Sequence, residues 1–162
     1  MGHRNVVNIL MDNAATLGID FNIKDHAGQT PLHLACRWGL FKIVKLFLEK
    51  SANLSIDFNT KDNAGQTAFH VACTWGRYYV VKMLMKKSDT LRIDLNAKEN
   101  KGQTAFQLAF NSNSHYILNF MRNNAETLKI DLKIDKNLHP SYKPLRIYSL
   151  MSLESLILGK EC

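Results

Sequence analysis

Apolar residues along this chain fall into two alternating helical registers. In "PLHLACRW" at 31–38, Leu32 is followed by Ala35 and Cys36 at spacings of three and four, and "AFHVACTW" at 68–75 repeats the stripe with Phe69, Ala72 and Cys73. Such a stripe is one buried face of a short helix. A second register follows each stripe. In "LFKIVKLFLEK" at 40–50 the apolar positions are Ile43, Val44, Leu46, Phe47 and Leu48, and "RYYVVKMLMKK" at 77–87 places Val80, Val81, Met83, Leu84 and Met85 in the same order. A helix that is apolar over more than half its circumference is not stable alone and must lie between neighbours. The pattern predicts helix pairs, one short and one longer, stacked on further pairs.

The polar punctuation agrees with this. The "AGQT" segments ending at Thr30 and Thr67 join turn formers to a hydroxyl that accepts from backbone N–H groups at a helix start. Pro31 sits at the first helical position, where its missing N–H costs nothing. Gly39 and Gly76 are placed to end the short helices in a left-handed conformation. The whole arrangement recurs: Gly28 to Gly65 and Gly65 to Gly102 are both 37 positions, as are the steps of the run Ile19-Asp20-Phe21-Asn22, Ile56-Asp57-Phe58-Asn59, Ile93-Asp94-Leu95-Asn96 and Ile130-Asp131-Leu132-Lys133. Self-similarity at such a period marks a solenoid. The small Ala35, Ala72 and Ala109 let neighbouring short helices approach closely, and after each longer helix the chain is expected to cross a loop containing Leu17, Leu54, Leu91 or Leu128.

Residues 25–50, "DHAGQTPLHLACRWGLFKIVKLFLEK", closely resemble the ankyrin repeat, with its Thr-Pro-Leu-His motif at Thr30 to His33 and the inter-helix Gly39. The resemblance covers roughly residues 1–134. It implies an all-α solenoid of stacked helix-turn-helix units with short β-hairpin-like loops. The family's period is about 33 residues, so each unit here is four longer, with the extra residues expected to lengthen the loop beside Leu54-Ser55-Ile56-Asp57. The division is then a truncated first repeat at 1–24, full repeats at 25–61 and 62–98, a divergent repeat at 99–134 with Gln107 for the histidine and Asn113 for the glycine, and a tail at 135–162. In 1–24 the segment "RNVVNILM" reads as a second helix without its partner, leaving Val6, Val7, Ile9 and Leu10 uncovered, as in a piece of a longer array or a product that starts late. In the tail, "LRIYSLMSLESLILG" reads as a capping helix, with a partner-binding helix or a disordered tail left open.

Composition narrows the function. The net charge of +7 invites nucleic acid, but Lys24, Lys61 and Lys98 are each followed by an acid, giving a nearly neutral ladder that reads as a solvated face. Lys42, Lys45, Lys82, Lys86 and Lys87 fall on the polar side of the longer helices. No apolar window approaches the roughly 20 residues that span a bilayer, and the ends show no signal-peptide core, myristoylation or prenylation pattern. Three cysteines are too few for a disulfide scaffold; Cys36 and Cys73 read as reduced, buried and small, in an intracellular, cytoplasmic setting with the nucleus left open. His33/Cys36 and His70/Cys73 have H-x-x-C spacing, yet copies stacked about 10 Å apart cannot converge on a four-ligand zinc site. Asp20 and Asp25 recur with the period and belong to architecture. Phosphate loops and nucleophile elbows are absent. The reading is non-enzymatic, with no catalytic residue, cofactor, metal or small-molecule substrate.

The resemblance places partner contacts on the turn tips and on the two residues before the inter-helix glycine. The tips are His26, Ala27 and Gln29, then Asn63, Ala64 and Gln66, then Asn100, Lys101 and Gln103. The helix positions are Arg37 with Trp38, Thr74 with Trp75, and Asn111 with Ser112. Two readings of Trp38 and Trp75 stand side by side, as interface anchors or as indoles packed on the neighbouring turn. The function expected is a protein-interaction module, an adaptor or scaffold binding a protein through the concave face, as a monomer or part of a longer array. The alternatives are a short-array decoy or inhibitor and a regulator associated with nucleic-acid-binding proteins; direct nucleic-acid binding is disfavoured.

Overall fold

Three short helices begin on three threonines. In the computed structural model, which describes residues 2–134 with the side chains of residues 2 and 3 left aside, α3 (Pro31–Arg37), α5 (Ala68–Thr74) and α7 (Ala105–Asn111) each follow a threonine N-cap. The Thr30, Thr67 and Thr104 hydroxyls accept from the backbone N–H three residues on, and the side chain at that third residue accepts the threonine's own N–H. Each cap is thus reciprocal. Gly39 and Gly76 close α3 and α5 with φ of 65° and 64°, and Asn113, their counterpart, takes the same left-handed turn at φ 52°. Asparagine is among the few side chains that tolerate it. The expected helix in the 135–162 tail lies outside the described residues.

The longer helices correct one expectation. α4 (Phe41–Leu54) and α6 (Tyr78–Leu91) run four residues past the predicted ends, so the additional residues of each unit extend the helix and not the loop. The reason is local: "SANL" and "SDTL" contain neither Gly nor Pro, the Ser51 and Ser88 hydroxyls donate back to the Leu48 and Met85 carbonyls, and Leu54 and Leu91 pack against the core from the final turn. Both helices stop where Ser55 and Arg92 turn left-handed. In the outer copies the equivalent helix is interrupted, giving α1 (Gly2–Asp12) with α2 (Ala14–Leu17) and α8 (His115–Asn123) with α9 (Ala125–Leu128). The break falls at Asn13 and Asn124, where the central copies carry Lys50 and Lys87. The asparagine amides donate to the Ile9 and Phe120 carbonyls at 2.8 and 2.7 Å; the Asn13 N–H shares the Ile9 carbonyl with its own amide, while the Asn124 N–H is displaced from Phe120 to the Met121 and Arg122 carbonyls.

The helices form two rows. α3, α5 and α7 lie side by side, and α1, α4, α6 and α8 make the second row, each of the last three packed on the short helix of its own pair. Ala35, Ala72 and Ala109 are buried between the short helices, as their size predicts. Cys36 and Cys73 are buried free thiols, and burial raises the pKa of both. Val44, Phe47, Val80, Leu84, Ile117 and Met121 fill the space between rows, and Phe58 and Leu95 plug it from the loops. The hairpin-like loops close on the Asp25, Asp62 and Glu99 N–H groups, which donate to the Gln29, Gln66 and Gln103 carbonyls at 3.0, 2.9 and 3.0 Å, and among the described residues one isolated bridge forms beside them, Lys98 to Thr104. No described helix is long and apolar enough to cross a membrane.

Candidate partner-binding surface

The turn before each short helix is curled by an acid. Asp25 accepts from the N–H groups of Ala27 and Gln29, Asp62 from those of Ala64 and Gln66, and Glu99 from those of Lys101 and Gln103. Adjacent tips are then sewn together. The Asn63 N–H and side-chain amide donate to the Ala27 and His26 carbonyls at 3.0 and 2.9 Å, and Asn100 does the same to Ala64 and Asn63 at 3.1 and 3.0 Å. A Cβ on Gly28 or Gly65 would lie 2.7 Å from the backbone nitrogen of Asn63 or Asn100, so the tips approach only because these residues are glycine. His26, Ala27, Asn63, Ala64, Asn100 and Lys101 are exposed along this row, with Gln29, Gln66 and Gln103 half-buried behind them. The Asn63 and Asn100 amides are therefore committed to the array as well as open to a partner.

Two further ladders correct or extend the sequence reading. Lys24 and Lys61 are exposed, but their ammonium groups do not simply face solvent: Lys24 donates to the Lys61 carbonyl at 2.9 Å and Lys61 to the Lys98 carbonyl at 2.8 Å. The second ladder was not anticipated. Asn22, Asn59 and Asn96 each donate to the carbonyl of the left-handed residue ending the next long helix, Ser55, Arg92 or Lys129, and accept the N–H two residues beyond it. Its signal was present in the periodic asparagine that ends three of the four Ile-Asp-apolar runs.

The histidines tie one unit to the next. His33 Nδ1 accepts the Thr30 N–H at 3.2 Å while Nε2 donates to the Gln66 carbonyl at 3.0 Å; His70 pairs likewise with Thr67 at 3.2 Å and the Ala97 carbonyl at 2.8 Å. This arrangement requires the neutral ring, and desolvation by burial lowers both pKa values, opposed by the hydrogen bonds to the backbone carbonyls. Gln107 performs the same task in the third copy, accepting the Thr104 N–H and donating to the Lys133 carbonyl. No three His, Cys, Asp or Glu side chains gather as a metal site among the described residues.

At the far ends of the short helices, Trp38 is 65% and Trp75 49% exposed. The Arg37 guanidinium lies over both rings, 5.9 Å from the Trp38 centroid and 4.9 Å from that of Trp75, so the structure brings together three candidates from successive units. Arg77, which the sequence reading passed over, holds the cluster by donating Nε–H to the Arg37 carbonyl at 2.9 Å. Thr74 and Ser112 turn their hydroxyls back to the His70 and Leu108 carbonyls, and Asn111 is exposed. Beside this edge Phe41, Tyr79 and Tyr116 stand exposed at the starts of the long helices, a feature that their neighbouring registers contained.

The family model described as "Ankyrin repeats (3 copies)" matches the chain over residues 1–98 and again over 54–134. No curated protein matches it significantly.

Proposed function

The chain belongs to the ankyrin-repeat family, whose arrays are general protein–protein interaction modules and typically non-enzymatic, and from that membership we propose that it is an adaptor or scaffold. It binds a protein partner through the concave face made by the turn tips and the short-helix row. The observation that carries this reading is the exposure of Trp38 and Trp75 on a stitched, rigid row: large aromatics left in solvent at fixed spacing are the residues that most often anchor interfaces. The two buried thiols suit a reducing, intracellular compartment.

The test compares wild type with Trp38→Ala/Trp75→Ala in a capture from cell extract, identifying proteins by mass spectrometry and staining nucleic acid. We expect a protein lost with the double variant, whose melting temperature stays within a few degrees of wild type. Equal capture by both proteins would move the interface elsewhere. A large drop in melting temperature would assign the indoles to packing.

A further inference from the structure

Arg37 occupies an unusual position for a cation. Its guanidinium lies over two indoles, and its Nε is fully buried without a hydrogen-bond partner among the described residues. The ion pairs found among the described residues, Lys45 with Glu49 and Lys50 with Asp12, do not involve it. A desolvated N–H left unpaired costs free energy, more so on a charged group. No acid of the chain lies between residues 26 and 48, 63 and 88, or 100 and 125, so the short helices, the inter-helix turns and the starts of the long helices carry no carboxylate. Arg77 adds a second guanidinium at the same turn. Every described acid is instead in the tips and loops or near the C-terminal ends of the long helices.

We infer that Arg37, lying over the rings of Trp38 and Trp75, is the receptor for a carboxylate side chain of the protein partner. This deepens the preceding proposal and rests on it. The guanidinium plane offers a fork of donors matched to a carboxylate, and the flanking rings exclude water and pre-set its direction. The fork forms at one register only, because the positions equivalent to Arg37 in the next copies are Thr74 and Asn111 and the position equivalent to the tryptophans in the third copy is Ser112. The partner segment therefore presents an Asp or Glu at one fixed place, next to apolar groups that cover the indoles.

The experiment selects short random peptides against the full chain and reads binding by tryptophan fluorescence, excited beyond the tyrosine band, which reports on this cluster because the chain contains only 2 tryptophans. The comparison variant is Arg37→Gln; neutral polar residues already serve this register at Thr74 and Asn111, so the fold is retained, and a melting curve checks it. We expect enriched peptides to share an acidic residue. Both Arg37→Gln and an Asp→Asn or Glu→Gln change in the peptide should weaken binding about 10- to 100-fold, the range of a hydrogen bond to a charged group. The two changes combined should cost little more than either alone. Peptides that perturb the tryptophans but carry no acid, or bind Arg37→Gln equally well, overturn the carboxylate assignment and leave the interaction face standing. Peptides that leave the tryptophans unmoved, or no recovered peptide at all, overturn both. A single-stranded oligonucleotide probe is run in parallel; an Arg37-dependent fluorescence change with it, and none with acidic peptides, overturns the assignment in favour of phosphate.

Discussion

At the scale of single residues, the histidines carry a pH dependence whose sign follows from their geometry. Both pKa values are lowered in the fold, so the unfolded chain binds protons more readily and stability falls as pH drops below about 6.5 toward the folded values. The chain supplies its own control, because Gln107 makes both bonds without a titratable group. His33→Gln/His70→Gln is therefore expected to flatten the melting temperature between pH 7 and pH 5, where wild type declines; an unchanged decline would place the acid sensitivity elsewhere. The glycines allow a second test. Gly65 and Gly102 have φ of 76° and 79°, but a Cβ at Gly65 meets the backbone of Asn100 whereas one at Gly102 meets no atom of the described residues within 4 Å. Gly102→Ala should cost about 1–2 kcal/mol from the left-handed backbone alone, and Gly65→Ala measurably more in urea unfolding. The threonine caps were legible because each serves its own turn. The Lys24 and Asn22 bonds were not, because their acceptors are backbone carbonyls 37 and 33 residues away, which sequence does not mark.

At the scale of elements, the long helices separate what periodicity reveals from what it hides. Their apolar stripes placed them correctly, but the final turns of α4 and α6 each carry a single large apolar residue, Leu54 or Leu91, and the residues before it, Ser51, Ala52 and Asn53 in α4 and Ser88, Asp89 and Thr90 in α6, give no stripe to follow. The helicity of these turns comes from the packing of Leu54 and Leu91 and the left-handed caps behind them. The asparagine breaks were equally hidden, since one amide outweighs a continuous pattern only when it finds the carbonyl four residues back. Asn124→Lys is accordingly expected to join α8 and α9 into one helix like α6. The gain should be on the order of 0.5 kcal/mol from propensity and the restored ladder, with a small rise in helical circular dichroism. The candidate site divided along the same line. The register of Trp38 and Trp75 left an exposed and a packed reading side by side, and the placement of Arg37 over both rings depends on how two units stack, which no single repeat encodes.

At the scale of the whole molecule, coverage by neighbours sets a gradient along the array. Leu34, Val71 and Leu108 share one register, and their exposures are 38, 2 and 8%. Val6, Val80 and Ile117 share another, at 56, 1 and 1%. These side chains are chemically alike; what differs is whether a preceding unit lies over them. In a solenoid each unit is stabilised by its own contacts and those of its neighbours, so α5 and α6, flanked on both sides, should be the last to open, and α1 among the first. Hydrogen exchange is expected to show the slowest amides in these central helices and fast exchange in α1. Substitutions should follow the same order. Leu84→Ala, at a 1% exposed position in α6, should lose about 2–5 kcal/mol, whereas Ile9→Ala, at 59% exposure, should stay within about 0.5 kcal/mol. Equal protection in α1 and α5, or an Ile9→Ala cost approaching that of Leu84→Ala, would mean that α1 is held by contacts other than this stack. The same gradient places Arg37, Trp38 and Trp75 across the junction of α5, flanked by short helices on both sides, with α3, flanked on one, so the half of the cluster that α5 supplies is the better buttressed for a partner seated there.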